Sequence, residues 1–307
     1  MTVRFKKVAI LGLGLIGSSI IRAMQRAGSA DVIVGHARSA ETRAIALEIG
    51  LVEQVFEPPQ DAVKGADLVI LCAPVGACGA LAEAIKGNLT AGAIVTDVGS
   101  VKGAIVRDVA PHIPQGVHFI PGHPIAGTEQ SGPRSGFAEL FENRWCILTP
   151  LLENPPDKIQ ALEDLWLSFG ARVERMTADH HDMVLAMTSH LPHLIAYNAV
   201  TTASDLEAVT KSEVIKFSAG GFRDLTRIAA SDPTMWRDVF LNNRDAVLDI
   251  LGRFSEELSG LQKAIRSGDG DRLFDVFSKA RETRRGIIAA GQDTAAPNFG
   301  RDPTHKT

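Results

Sequence analysis

His123 stands between a glycine and a proline in the run Phe119-Ile120-Pro121-Gly122-His123-Pro124-Ile125-Ala126-Gly127-Thr128. The apolar residues before it read as a strand, and the prolines and glycines prevent that strand from continuing. One imidazole is therefore held on a stiff loop at a strand end. Imidazole titrates near pH ~6.5 and so can exchange a proton at neutral pH. The same segment also fits a turn whose histidine only caps a backbone group. A second run, Asp97-Val98-Gly99-Ser100-Val101-Lys102, follows another short strand. Its Ser100 could orient a hydroxyl or the imidazole, or simply cap the helix beginning at Val101.

A third group of residues suits an anion. Lys7 to Leu11 is a short apolar run, followed at once by Gly12-Leu13-Gly14-Leu15-Ile16-Gly17 and then by a segment of helical periodicity ending at Gly28. In this context Gly12 permits a tight turn, Gly14 lets the backbone at Leu15 and Ile16 approach a pyrophosphate, and Gly17 lets the helix pack on the strand. The helix N-terminus then faces the phosphates. A carboxylate about 20 positions after the third glycine normally holds the ribose 2'-hydroxyl of NAD. That neighbourhood here reads Gly35-His36-Ala37-Arg38-Ser39, with Arg43 nearby. Arg38 and Ser39 could instead meet a 2'-phosphate, which favours NADP over NAD; the alternative is that Arg38 only stacks on the adenine and either cofactor binds.

The elements that position these residues alternate. Strands are expected at 32–35, 67–71 and 94–97, with helices at 40–49, after Pro74 and from Val101. Such alternation gives a parallel sheet with crossover helices. Ligands of these sheets lie beyond the carboxyl ends of the strands, so Ala73-Pro74, the Ser100 loop and the His123 loop should converge on one crevice. A short helix near 137–140, strands at 145–148 and 172–176, and a helix at 157–169 read as antiparallel additions completing that sheet.

From residue 178 the pattern becomes helical. Asp179-His180-His181-Asp182 opens this half, with His180 and His181 read as surface or capping groups, and Thr188-Ser189-His190-Leu191-Pro192-His193 follows. His190 and His193 could share a helix face. No third ligand stands at a suitable spacing, so no metal site is expected. Ser218-Ala219-Gly220-Gly221-Phe222-Arg223-Asp224-Leu225-Thr226-Arg227 brings arginines to a diglycine break; Arg227 either pairs with Asp224 or meets a carboxylate. Phe240, Val247, Phe254 and Leu261 recur every seven residues, as in helix-on-helix packing within one subunit or between two. The expected division is a dinucleotide-binding domain over 1–177, a helical domain over 178–291 and a polar, mobile tail over 292–307.

The 307 residues are 45% hydrophobic and 22% charged, with a formal net charge of -4. No dense basic patch points to nucleic acid or an anionic membrane surface, and no apolar stretch approaches the ~20 residues that span a bilayer. Cys72, Cys78 and Cys146 are too few and too widely spaced for a disulfide framework. A cytoplasmic protein is expected, with the cysteines as buried small hydrophobes.

The Gly12 fingerprint, Asp97 to Lys102, Gly-His-Pro-Ile-Ala-Gly-Thr-Glu, Ser-His-Leu-Pro-His, and Asp224-Leu225-Thr226-Arg227-Ile228-Ala229 leading to Met235-Trp236-Arg237-Asp238 occur in order. Together they resemble the prephenate/arogenate dehydrogenase family of tyrosine biosynthesis. The resemblance implies oxidative decarboxylation of prephenate or arogenate with NADP or NAD. It implies that His123 accepts a proton or hydrogen bond from the substrate 4-hydroxyl and that Ser100 holds that hydroxyl or the imidazole in line. Arg227 would hold a substrate carboxylate and His193 would line the same pocket, with His190 and Thr128 placed beside them. The all-helical domain would form a homodimer. The alternative is a beta-hydroxyacid dehydrogenase, which shares the layout but needs a GxxxNxxK helix; here Asn198 is followed by Thr201 where the lysine would stand.

Overall fold

The computed structural model describes residues 4–128, 130–210 and 216–289. Glu129, the end of the expected helical domain and the expected tail over 292–307 lie outside the described residues. The chain begins with strand β1 (Phe5–Leu11), helix α1 (Leu15–Ala27) and strand β2 (Ala30–His36). Gly28 ends α1 in the left-handed region at φ 63°, where a side chain would be strained. Then come α2 (Ala40–Glu48), β3 (Gln54–Phe56), α3 (Pro59–Val63), β4 (Leu68–Leu71), α4 (Val75–Ile85), β5 (Ile94–Asp97), α5 (Lys102–Val109) and β6 (His118–Phe119). The short β3 and α3 carry too few apolar residues to show a period and were not expected from the sequence.

All six strands pair in parallel, in the order β3-β2-β1-β4-β5-β6. This is the strand order of a Rossmann-type sheet. β1 shows why its strands lack an apolar/polar alternation: Val8 and Ile10 enter the core on one face, and Ala9 and Leu11 the core on the other. α1 and an aromatic cluster of Phe141, Trp166 and Phe169 cover the first face, with ring centroids 5.3 to 6.0 Å apart. Residues of α3, α4 and α5 cover the second.

The later strands do not complete this sheet, contrary to expectation. β7 (Gly122–Pro124), β8 (Trp145–Leu148) and β9 (Arg172–Arg175) form a separate three-stranded sheet, with β8 antiparallel to β7 and parallel to β9; α6 (Pro156–Ser168) makes the crossover. The physical cause lies at one peptide. Ile120 still donates its N–H to Val95 O of the large sheet at 2.9 Å, but Pro121 has no N–H to give, and its carbonyl accepts instead from Thr149 N at 2.9 Å. The chain changes sheets between adjacent residues, immediately before His123.

Helix α7 (Ala178–Leu185) is capped by Thr177 and passes through a π-helical turn, Ala186–His190, into α8 (Leu191–Thr210). Pro192 cannot donate a backbone bond, which accounts for the irregular turn before it. α9 (Gly220–Thr226) and the 3-10 turn Arg227–Ala230 lead to α10 (Pro233–Asn242), capped by Asp232 through Thr234 N and Met235 N. Trp236 and Val239 of α10 bury themselves in the core shared with α4 and α5. That packing joins these helices to the sheet domain, and the compact unit containing both runs to Leu248.

The second compact unit begins at Asp249 and comprises the remainder of α11 (Arg244–Ser267) with α12 (Gly270–Ala289). Leu258, Ile265, Phe274 and Phe277 are exposed on it. The seven-residue repeat does not lie on one helix, because Asn243 separates Phe240 from Val247. No helix among the described residues is long and apolar enough to cross a membrane.

Candidate active site

At the end of β1, a Cβ added to Gly12 (φ +121°) would stand 2.2 Å from Cys72 O, and one added to Gly17 would stand 2.0 Å from Gly12 O. Both glycines are therefore required by backbone packed against backbone. Gly14 has nothing within 4 Å of its would-be Cβ, so its lack of a side chain leaves space. Gly14 is also the N-cap of α1; no side chain caps that terminus, and its first turn has no acidic residue. The turn thus combines open space with the uncapped N-terminal amides around Leu15 and Ile16, and it fits a dinucleotide pyrophosphate. Ala73 and Pro74 lead into α4 beside this turn, with Ala73 N 3.3 Å from the same Gly12 Cβ position.

The end of β2 differs in detail from expectation. Ser39 is the N-cap of α2 and accepts from Thr42 N, which uses an acceptor site and leaves its O–H to donate. Arg43 is committed within the protein: it donates to Ala37 O at 2.9 Å and Arg38 O at 2.7 Å, and pairs with Glu57 at 2.8 Å. Arg38 is exposed and Ala37 is buried, with no carboxylate at this strand end. His36 is buried with Nδ1 3.1 Å from Phe56 O.

His123 lies on β7, just past the change of sheets, and is half-buried. Its Nδ1 is 2.8 Å from Nε2 of His181, and Nδ1 of His181 is 2.8 Å from Oδ1 of Asp182. Asp182 in turn accepts from Lys102 N at 2.7 Å and Gly103 N at 2.8 Å, so this carboxylate caps α5. The capping role expected for Ser100 does not hold. Val101 is the N-cap without a side-chain bond, and His181 takes the imidazole nitrogen. The Ser100 hydroxyl makes no hydrogen bond among the described residues.

Beneath the histidines, Lys102 and Asp97 are fully buried and paired. Lys102 Nζ also donates to Gly122 O at 2.6 Å, and Asp97 accepts from Gly99 N at 2.7 Å and Gly122 N at 3.1 Å. Lys102 Nζ thus has two acceptors and the Asp97 carboxylate three donors, which offsets the removal of both charges from water. The result is that the residue before His123 is tied by its N–H to Asp97 at the end of β5 and by its C=O to Lys102 at the start of α5.

The helical side adds His190, His193 and Arg227. His193 Nδ1 is 2.9 Å from Ser189 O, and its ring stacks on Trp236 with centroids 3.6 Å apart. Tyr197, one turn on, donates to Ser231 O at 2.7 Å and ties α8 to the end of the turn that carries Arg227. Arg227 is exposed; burial lowers the basicity of His193, and the proximity of Arg227 lowers it further. His190 has no exposed surface; its Nδ1 is 3.0 Å from the Asn243 amide and its ring meets Trp236 edge-on. It therefore packs behind the site and does not line it. Thr128 is exposed, and its hydroxyl accepts from Gln130 N at 3.2 Å.

Burial dominates the electrostatics. It lowers the basicity of His123 well below that of ordinary imidazole, and the proximity of His181, Lys102 and His190 lowers it further. His181 is lowered by burial, partly offset by its bond to Asp182, and His190 is lowered to about 4. Burial pushes the Cys78 thiol up to about 12, so it carries no thiolate at neutral pH. Among the described residues no group of three or more His, Cys, Asp or Glu is arranged to hold a metal ion.

The reading of His181 as a surface or capping group is overturned; His180 is the exposed member of the pair. The helical spacing distinguishes the two. His181, Asp182, Leu185 and Ala186 form one buried helical stripe, while His180 and Met183 fall outside it.

Comparison with known proteins points to one family. Residues 20–175 match the description "Prephenate dehydrogenase, nucleotide-binding domain" and residues 177–279 match "Prephenate dehydrogenase, dimerization domain". The chain is 44% identical to a cyclohexadienyl dehydrogenase of Zymomonas mobilis, over 92% of this chain and 96% of that one. It is 33% identical to a prephenate dehydrogenase of Bacillus subtilis, over 95% of this chain and 78% of that one. Among solved structures, prephenate dehydrogenase from A. aeolicus in complex with hydroxyphenyl propionate and NAD+ superposes with a TM-score of 0.86 at 32% identity, covering 94% of this chain and all of that one. Synechocystis arogenate dehydrogenase gives 0.78 at 26% identity, covering 92% and 99%.

Proposed function

The chain belongs to the prephenate dehydrogenase family, and from that premise we propose that His123 is the group that accepts the proton of the substrate's 4-hydroxyl. The enzyme is an NAD(P)-dependent oxidoreductase of tyrosine biosynthesis that oxidatively decarboxylates prephenate, arogenate or both. This replaces the beta-hydroxyacid dehydrogenase alternative. When bound, the nicotinamide supplies the hydride acceptor. The observation that carries the role of His123 is its placement: Nδ1 is engaged by His181, which leaves Nε2 as the nitrogen available to a ligand. Its lowered basicity supports the same role, because only neutral imidazole can accept a proton.

Around it, the Gly12–Gly17 turn holds the pyrophosphate, with Ala73 and Pro74 bordering it. Arg227 pairs with a substrate carboxylate and His193 lines the same pocket. The stacking of His193 on Trp236 supports a fixed ring there, and the tie from Tyr197 to Ser231 supports a fixed approach for Arg227. Ser100 and Thr128 are assigned to the substrate on the strength of their loops. Ala37 stands where a carboxylate would favour NAD, and Arg38 beside it is exposed, so NADP is the proposed preference. A homodimer through the helical region is supported by the exposed Phe274 and Phe277. The dinucleotide-binding part is assigned to 1–177 and the helical part to 178–291. Three free thiols support a reducing, cytoplasmic setting.

The test is reduced-nicotinamide absorbance with the purified enzyme in four mixtures, prephenate or arogenate with NAD or NADP. A signal with NADP above that with NAD is expected, and the stronger substrate sets the preference. A stronger NAD signal overturns the cofactor assignment; no signal in any mixture, with cofactor still bound, overturns the activity.

A further inference from the structure

The bond between His123 and His181 has a direction. Asp182 Oδ1 and Oδ2 accept from the backbone N–H groups of Lys102 and Gly103, so the carboxylate acts as an acceptor on both oxygens. Facing Oδ1 at 2.8 Å, Nδ1 of His181 must be the donor. A neutral imidazole carries one proton, so Nε2 of His181 is then a bare lone pair. Nδ1 of His123, 2.8 Å away, must in turn donate to it, which leaves Nε2 of His123 unprotonated. We propose that His181 and Asp182 are positioning residues that hold His123 in the tautomer protonated on Nδ1, so that Nε2 presents a lone pair to the substrate hydroxyl. The opposite tautomer would present a donor to a group that must itself give up a proton.

The inference rests on the assignment of His123 as proton acceptor and adds to it the device that selects the acceptor form. The groups facing the pair from the elements packed on it are Lys102 of α5 with its partner Asp97 at the end of β5, His190 of the π-helical turn, and Cys146 of β8 beside the His123 backbone. Burial disfavours a second proton on either ring and Lys102 adds to it; His181 and His190 add further at His123, while Asp182 and Asp97 only partly offset burial at His181, so the pair works between neutral tautomers. Asp182 also fixes the helix that bears it: its own carbonyl accepts from Asn243 Nδ2 at 2.9 Å.

The test is histidine 15N NMR of the full chain, with the His123 signals assigned by their loss in His123→Asn. At neutral pH the Nδ1-protonated form is expected for His123, and an Nε2-protonated form overturns the proposal even if no His181 variant folds. In His181→Phe, which keeps the ring volume without an acceptor, kcat should fall about 10–100-fold with KM nearly unchanged. His181→Gln, with a carboxamide that can donate towards Asp182 and accept from His123, should restore part of that loss. An unchanged kcat in His181→Phe, or a loss borne by KM alone, overturns the positioning role. Normal turnover in His123→Asn would instead remove the acceptor assignment while leaving the tautomer result standing, so the two failures are distinguishable.

Discussion

The glycine turn after β1 and the histidine cluster at β7 belong to the same compact unit, yet they are built in opposite ways. The turn is six consecutive residues whose requirements are steric: Gly12 and Gly17 are needed because backbone oxygens occupy the space of their side chains. The cluster is chemical and assembled from distant segments. His123 and His181 are 58 positions apart, and Asp182 caps a helix start 80 positions away. A local turn fails when volume is added, whereas a long-range cluster fails when a donor or acceptor is exchanged.

Substitutions can separate the two. His123→Asn keeps a polar side chain of smaller volume, so cofactor affinity should hold while kcat falls by about 10²–10⁴. Stopped-flow turnover beside cofactor titration measures both, and near-normal kcat would remove His123 from proton transfer. Gly17→Ala should show the reverse pattern. Its Cβ would meet Gly12 O, and overpacking of this kind costs about 1–3 kcal/mol. Cofactor affinity and Tm should both fall, while kcat at saturating cofactor stays close to that of the parent enzyme. Unaltered affinity would mean that the turn can relax and is not steric in the sense argued.

A smaller effect comes from pH. The unfolded chain's histidines take up protons near the ordinary value of ~6.5, whereas folded His190 does so only at about 4 and His123, His181 and His193 are also lowered. Between those limits the unfolded state binds more protons, so stability falls as pH drops through ~6.5. Tm measured from pH 7 to pH 5 should decline, and the acid limb of kcat should lie below ~6.5, because His123 stays neutral there. A flat Tm would show that the histidines are not held neutral by burial.

Much of the fold was legible because its signals are local. The apolar runs at β1, β4 and β5, the glycine turn, and Asp232 followed by Pro233 each declare themselves within a few residues. β3 and α3 escaped because three to five residues carry no period. The second sheet escaped because a proline that ends a ladder does not say where the chain goes next; only the bond from Thr149 N to Pro121 O does. At the site, His123 was legible from its glycine and proline neighbours, whereas its bond to His181, 58 positions on, was not.

The sequence by itself determined the Rossmann-type alternation, the glycine turn, the change to helices and the setting of the His123 imidazole between a glycine and a proline, since these follow from backbone sterics and periodicity. Tertiary structure decided which groups that imidazole meets. The His180–His181 pair looks symmetric as text, but neighbouring residues on a helix point about 100° apart. Packing of α7 on α5 turned one ring to solvent and the other to His123, and the same packing put Asp182 over the start of α5. Hydrogen-bond direction, buried charge and the depressed basicity of the histidines all depend on that docking, and no spacing along the chain encodes it.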